Sequence, residues 1–276
     1  MTETLAAFLL AGSLASLAGP KPWAPVLGGL GLGLAGLCRP STLACAGLVA
    51  LAALVAGPGG GRERLRRAVG LVVAMGAVLA PWAWRNERTL GEPVWTTTHG
   101  GYTLALANNP AYYDDVLHGP PGAVWSGPNQ RRWFEQIGRE TAGMTEPEAD
   151  RYLRAAALRM VAARPGDFLR AALARLGRFW GVAPSGAVYP AWLRLLTALF
   201  TLPLWLALAA GLLRPSLWRW PRVAAPAMIL GLSAVHALFW TDLRMRAPIV
   251  PSIAAIAASA PRGWPGALKT GRKNGK

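Results

Sequence analysis

The stretch Pro81–Asp115, PWAWRNERTLGEPVWTTTHGGYTLALANNPAYYDD, passes within a few residues from an almost uninterrupted apolar run into a polar, turn-rich segment. Ahead of it, residues 69–84 carry no charge and end in Trp82 and Trp84, an aromatic pair of the kind that anchors a helix where hydrocarbon gives way to headgroups. Arg85-Asn86 then opens the polar side. This junction predicts a membrane helix surfacing into an extramembrane region, and with it a helical, lipid-embedded fold.

Composition points the same way. Of 276 residues, 53% are hydrophobic and 15% charged, with 13 tryptophans, more apolar than a soluble domain of this length requires. Apolar segments fall at 5–18, 25–37, 42–56, 69–84, 192–213 and 223–240, with a seventh at 249–260. Several are shorter than the ~20 residues that cross a bilayer core, and the small residues of GGLGLGLAG (Gly28–Gly36) predict close helix packing. Cys38 and Cys45, inside apolar sequence, are expected to be buried and inert. Met1-Thr2-Glu3 lacks the positive start of a cleaved signal peptide.

The formal charge of +16 could indicate nucleic acid, but the basic residues sit between apolar runs. Arg62, Arg64, Arg66 and Arg67 fall in GRERLRR, and Arg214, Arg219 and Arg222 in RPSLWRWPR. Arg262, Lys269, Arg272, Lys273 and Lys276 fall in the tail. This is the loop pattern of a cytoplasmic-membrane protein, all three clusters lying on the cytoplasmic side, and no nucleic-acid partner is expected. Counting crossings places Arg39-Pro40, residues 85–185 and residues 242–246 together on the outer face. The expected architecture is all-α, a polytopic transmembrane helix bundle with an extracytoplasmic, mostly helical subdomain. Its parts are transmembrane helices at 1–84, the outer subdomain at 85–185, C-terminal transmembrane helices at 186–262 and a basic cytoplasmic tail at 263–276.

Within the outer region, Thr145 and Glu148 form a capping-box pattern with Pro147 in the first turn, predicting a helix to about residue 163. Pro165-Gly166 should break it. A second helix over 167–180 alternates Arg170, Arg175 and Arg178 with Phe168, Leu169, Leu173, Leu176 and Phe179. It is amphipathic and suits either the membrane surface or the flank of the subdomain.

Four polar clusters reach the outer face in this topology. Arg39, between two apolar segments, suits a lipid phosphate or snorkels at a helix end. Arg85-Asn86 has the same two readings. His99-Gly100-Gly101-Tyr102 with Asn108-Asn109-Pro110 reads as a loop, offering amides and a phenol to sugar hydroxyls or simply forming turns. Asp242, Arg244 and Arg246 suit phosphate or a structural ion pair. His236, within an apolar helix, is expected to be packed. No Walker A, GxSxG, HExxH or strand-linked GxGxxG sequence occurs, and no metal site is expected.

In series, these clusters resemble the polyprenyl-phosphate-sugar-dependent membrane glycosyltransferases of the GT-C superfamily, near glycosyltransferase family 39 and the protein O-mannosyltransferase-like enzymes. MTETL looks like the Thr-Glu entry to a middle helix, GLGLAGLCRPSTL like the small-residue helix ending in Arg-Pro, and PWAWRN like Pro-Trp-x-x-Arg-Asn. GGYTLALANNP resembles a Gly-Gly-Tyr…Asn-Asn-Pro element, and HALFWTDLRMRAPIVP a His…Asp-x-Arg-Tyr-Arg-x-Pro signature, with Met245 in place of the tyrosine. The resemblance implies transfer of a sugar from a polyprenyl-phosphate donor to a protein, lipid or glycan acceptor in the cell envelope. Cations hold the departing phosphate and a carboxylate takes the acceptor proton. Carried over residue by residue, Arg39, Arg244 and Arg246 lie on the phosphate side, with Arg85, Asn86 and Asp242 as further substrate-side positions. Tyr102, Asn108 and Asn109 shape the outer cavity. The family's principal carboxylate precedes the Thr-Glu element, so the chain is expected to be the C-terminal portion of such an enzyme, from a fragment or misplaced start. Otherwise a partner chain supplies the missing helices, or the chain is a non-catalytic relative. Glu3, Asp114 and Asp115 are the carboxylates present that could act. The alternative from another class is a transporter or assembly subunit that keeps the scaffold.

Overall fold

The computed structural model describes residues 2–119, 125–184 and 189–260. The expected cytoplasmic tail lies outside the described residues. Twelve α-helices and no strand occur among the described residues, as the all-α expectation requires.

Seven helices form an apolar bundle: α1 (Thr2–Leu17), α2 (Ala24–Cys38), α3 (Leu43–Ala56), α4 (Gly61–Leu90), α10 (Ala191–Leu212), α11 (Ala224–Leu238) and α12 (Val250–Ala257). Among the described residues, only α4 and α10 are long and apolar enough to cross a membrane unaided. At ~1.5 Å per residue, the 14–16-residue helices α1, α2, α3 and α11 reach about 21–24 Å, short of a ~30 Å hydrocarbon core.

Their packing explains how such short, small-residue helices hold together. A side chain on Gly29 of α2 would run into the Leu71 carbonyl of α4 and stand 3.0 Å from Ala74 Cβ, so the two backbones touch. On the other side of α3, a Cβ at Gly231 of α11 would lie 2.6 Å from the Ala44 carbonyl oxygen. The core between these contacts holds Leu10, Leu32, Val49, Leu71, Met228, Leu232 and Ile253. Large apolar side chains point outward elsewhere, among them Phe8, Val73, Leu199 and Phe200, the last 78% exposed. Water does not favour an apolar exterior of this kind.

Three readings of the sequence need correction here. The Arg62–Arg67 run is not a loop: it forms the first turns of α4, where Glu63 pairs with Arg66 at 2.8 Å and Arg67 at 2.9 Å. The spacing of three and four residues that makes those pairs is itself helical. Nor does the helix stop at Trp84: Pro81 is accommodated inside it, and it ends where Gly91, at φ +80°, closes the last turn on the Glu87 carbonyl. The seventh apolar segment, 249–260, forms only the eight-residue helix α12, which is entered from a 3-10 stretch, Leu243–Ile249. Pro251 sits in the first turn of α12, where proline is tolerated, and eight residues fall well short of the ~20 that cross a bilayer core.

Five further helices, α5 (Gly100–Ala107), α6 (Pro110–Leu117), α7 (Pro128–Glu140), α8 (Glu146–Ala163) and α9 (Pro165–Phe179), build a second core around Tyr112, Tyr113, Trp125, Trp133 and Leu153. The His-Gly-Gly-Tyr segment, expected as a loop, opens α5. Its glycines serve packing rather than turning: a Cβ on Gly101 would collide with the Asp150 backbone of α8, and the Asp150 carboxylate accepts the Gly101 N–H. Pro165 opens α9 rather than merely ending α8.

The capping box forms as its spacing predicts. The Glu148 carboxylate accepts the Thr145 N–H at 2.8 Å and the Thr145 hydroxyl at 2.8 Å. These bonds, the backbone one foremost, hold Glu148 below the usual glutamate pKa. A lowered carboxylate pKa contributes stability that is present above the ordinary value of about 4.3 and lost as pH falls through the depressed folded value. Glu148→Gln should therefore lower the stability of this helix at neutral pH and leave a shallower acid dependence of helicity below about pH 4.3, measured by circular dichroism.

Candidate functional site

Three segments distant in sequence meet at one end of the bundle: the start of α1, the end of α2 and the 3-10 stretch Leu243–Ile249. Pro40 and the 3-10 turn Pro40–Thr42 end α2 and leave Arg39 in an extended conformation. Its Nη1 lies 2.9 Å from Glu3 Oε1 and donates to Thr2 Oγ1 at 3.4 Å, while Nη2 lies 2.9 Å from Met245 Sδ. Arg244 extends towards the same carboxylate, with Nε 3.9 Å from Glu3 Oε1 and 3.4 Å from Asp242 Oδ2. Asp242 also caps the 3-10 stretch by accepting the Arg244 N–H at 2.9 Å. Four of the sequence-predicted residues, Glu3, Arg39, Asp242 and Arg244, therefore share one cluster.

The two pairs differ in access. The Arg39 and Glu3 side chains are 15% and 21% exposed, whereas Arg244 is 72% exposed. A half-shielded carboxylate held by one guanidinium, with a second able to swing, can exchange its counter-ion: an incoming oxyanion competes with Glu3 for both arginines.

Arg246 turns the other way. Its Nη1 donates to the Phe179 carbonyl at 3.0 Å and the Gly181 carbonyl at 2.6 Å, and its guanidinium lies 4.8 Å from the Trp205 ring centroid. It pins the end of α9 to the bundle instead of joining Arg39.

Asn108 and Asn109, at the α5–α6 junction, are buried and bonded within the fold. Asn108 Nδ2 donates to the Leu104 and Leu238 carbonyls, each at 2.9 Å, and its Oδ1 accepts the Tyr113 hydroxyl at 3.0 Å. Burial pushes the Tyr113 phenol up to about 12, keeping that donor protonated. Asn109 caps α6 by accepting the Tyr112 N–H at 2.8 Å. Tyr102 packs between His99 and Trp133. Asp114 pairs with Arg164 at 3.1 Å, and Asp115 accepts from Asn129 at 2.6 Å and the Trp125 indole at 3.2 Å.

Asn108, Asn109 and Asp114 also line a cleft of about 590 Å³ between α6, α7 and α8, with Gln136, Glu140 and Tyr152 opposite. Arg85 and Asn86 lie apart from both places. Arg85 donates to Asn86 Oδ1 at 3.1 Å, and Asn86 donates to the Val94 carbonyl at 2.7 Å, folding the chain after α4 back on the helix. His236 stacks on Phe179, with Nδ1 3.3 Å from the Trp240 carbonyl.

Arg175 does not lie on the polar face of α9 that its charge predicts. Although 1% exposed, it donates from Nε to the Ala237 carbonyl at 2.8 Å and from Nη1 to the Ala107 carbonyl at 2.7 Å, with Nη2 3.4 Å from Asn108 Oδ1. Burial pulls this guanidinium below its ordinary pKa. Its spacing carried the signal: it stands seven residues after Phe168 and four before Phe179, both on the inward face.

Cys45 is buried, and Cys38 donates weakly to the Thr2 carbonyl at 3.4 Å. Among the described residues no group of three or more His, Cys, Asp or Glu side chains is placed to hold a metal ion. No protein-family model, curated protein or solved structure matches the chain.

Proposed function

We propose that the chain is a multi-pass protein of the cytoplasmic membrane that acts as a glycosyltransferase. It passes a sugar from a polyprenyl phosphate to an acceptor hydroxyl or amine at the outer face. The observation that carries this reading is the Glu3–Arg39–Arg244–Asp242 cluster, gathered from both ends of the chain at one end of an apolar bundle. The apolar exterior of α1, α4 and α10 supports lipid surroundings, and the alternation of helix directions leaves the Arg62–Arg67 and Arg214–Arg222 groups at the other end. Ionised groups clustered at one end fit a headgroup-level reaction better than a mid-bilayer transport site.

In this mechanism the donor phosphate displaces Glu3 from Arg39 and Arg244. The bond from the anomeric carbon to the phosphate oxygen breaks, the acceptor oxygen or nitrogen bonds that carbon, and the freed Glu3 carboxylate takes the acceptor proton. The arginines neutralise the charge gathering on the leaving phosphate. The cleft between α6, α7 and α8 offers the acceptor a polar wall.

Arg39→Gln should lower transfer from labelled polyprenyl-phosphate hexose or pentose donors at least tenfold, the loss of a charge-assisted contact at ~1.5–3 kcal/mol. The assay uses the full protein in vesicles, with insertion checked by single-cysteine labelling at positions 219 and 244 from opposite sides. Transfer by Arg39→Gln at the normal rate would refute the phosphate role. A wild-type protein inert towards the whole donor panel would favour the non-catalytic alternative.

A further inference from the structure

The far end of the bundle holds a second pocket, distinct from the Glu3–Arg39 cluster. Thr2 and Glu3 belong to that cluster, whereas Leu14 and Ala18, about 20 Å further along α1, line this pocket. It encloses about 420 Å³ between the end of α1, the α10–α11 connection and the end of α12. Leu14, Leu217, Pro221 and Ile256 make apolar walls, and Arg214 and Arg222 stand among them.

No carboxylate lines this pocket, and no acidic residue occurs in the sequence between Asp167 and Asp242 or after Asp242. The charges here are therefore uncompensated locally, unlike Arg66 and Arg67, which share Glu63. Arg214 is held in place by donation from Nη2 to the Ala260 carbonyl, while its Nε is shielded from solvent without a hydrogen-bond partner. A shielded guanidinium N–H left unbonded is costly, and a phosphate oxygen is the acceptor it fits best. Arg222 is exposed and supplies a second cation.

We propose that this pocket binds the headgroup of an anionic phospholipid, its phosphate between Arg214 and Arg222 and the first carbons of its chains along the apolar walls. A site half cationic and half apolar matches a lipid phosphate and not a free anion, which would leave the walls dry and unfilled. The inference rests on the membrane part of the proposed function and is independent of sugar transfer. Its consequence is a bound lipid that ties the ends of α1, α10 and α12 together at the cytoplasmic leaflet.

The test is native mass spectrometry of the full protein released from vesicles of phosphatidylcholine containing phosphatidylglycerol. Wild type should retain phosphatidylglycerol selectively, and Arg222→Gln should reduce that retention about tenfold, the worth of one charge-assisted contact. Arg222→Lys should keep most of it. Ala258→Leu, at an exposed position on the wall, should reduce it with both charges intact. Equal retention by wild type, Arg222→Gln and Ala258→Leu would overturn the proposal. So would displacement of the lipid by inorganic phosphate as readily as by short-chain phosphatidylglycerol, which would indicate a free-anion site. Vesicle flotation of the same samples reports separately on membrane insertion, so a failure of the membrane reading is distinguishable from a failure of the lipid site.

Discussion

Arg175→Ala is expected to destabilise the protein by about 3 kcal/mol or more, because it leaves two shielded carbonyls and an amide oxygen short of a donor at once. The Ala107 and Ala237 carbonyls belong to the last turns of α5 and α11, where no further helical N–H is available to them. The side chain is enclosed between the two cores, so water does not easily replace it. Arg175→Lys should recover only part of the loss: an ammonium can reach one carbonyl but lacks the planar fork that serves several acceptors together. Arg170, on the opposite face and 3.7 Å from Asp167 with 70% of its side chain exposed, provides the control. Its alanine variant should shift stability by no more than ~1 kcal/mol. Thermal unfolding in detergent, followed by tryptophan fluorescence and by proteolysis of the α5–α9 region, distinguishes the two. An unchanged midpoint for Arg175→Ala would mean that other donors serve these carbonyls. Since Arg175 and Arg246 both tie α9 to the bundle, loosening α9 should free the α5–α9 subdomain before the apolar bundle opens.

Arg175 also marks what was legible in the sequence. Charge alone assigns it to the wet face of an amphipathic helix, yet its spacing from Phe168 and Phe179 puts it on the inward stripe. Periodicity outweighs residue type when internal carbonyls supply the partners. The same physics separates Arg244 from Arg246. At three residues per turn, neighbours two apart point in widely different directions, so one guanidinium reaches Glu3 and the other Phe179 and Gly181. The sequence motif presents them as equivalent. The bundle helices α1, α2, α3, α10 and α11 follow closely from the apolar runs, since length and hydrophobicity are local properties. The extension of α4 through Arg62–Arg67 is hidden by its charge, which suggests a loop, although Glu63 stands at helical spacing from its partners. Asn108 and Asn109 read as groups free for a ligand. Only the tertiary fold shows their amides already spent on Leu104, Leu238, Tyr113 and Tyr112. The joining of Glu3 to Arg39 and Arg244 depends on long-range packing, and no local pattern encodes it.

The second large effect should come from Gly29→Val. At the α2–α4 crossing, the first side-chain atom would already collide with the Leu71 carbonyl and press on Ala74. A helix carbonyl cannot move aside without breaking its own hydrogen bond, so the helices must separate. Overpacking of this kind costs about 3 kcal/mol, or more where backbone is the obstacle. Gly33, one turn on, repeats the contact: a Cβ there would lie 2.9 Å from Val78 Cβ and 3.0 Å from the Met75 carbonyl oxygen. Separation at Gly29 therefore lifts the whole α2 face, as in other small-xxx-small crossings. Because α2 ends at Arg39, the disturbance should also reach the charged cluster, and the variant should lose function along with stability. Gly12→Ala is the matched control, since nothing lies within 4 Å of a Cβ placed there. That change should be neutral or stabilise by up to ~1 kcal/mol through helix propensity. Unfolding in detergent and monodispersity on gel filtration give the comparison. If Gly29→Val were as stable as Gly12→Ala, the two backbones could not be in contact, and neither could the geometry that brings Arg39 to Glu3.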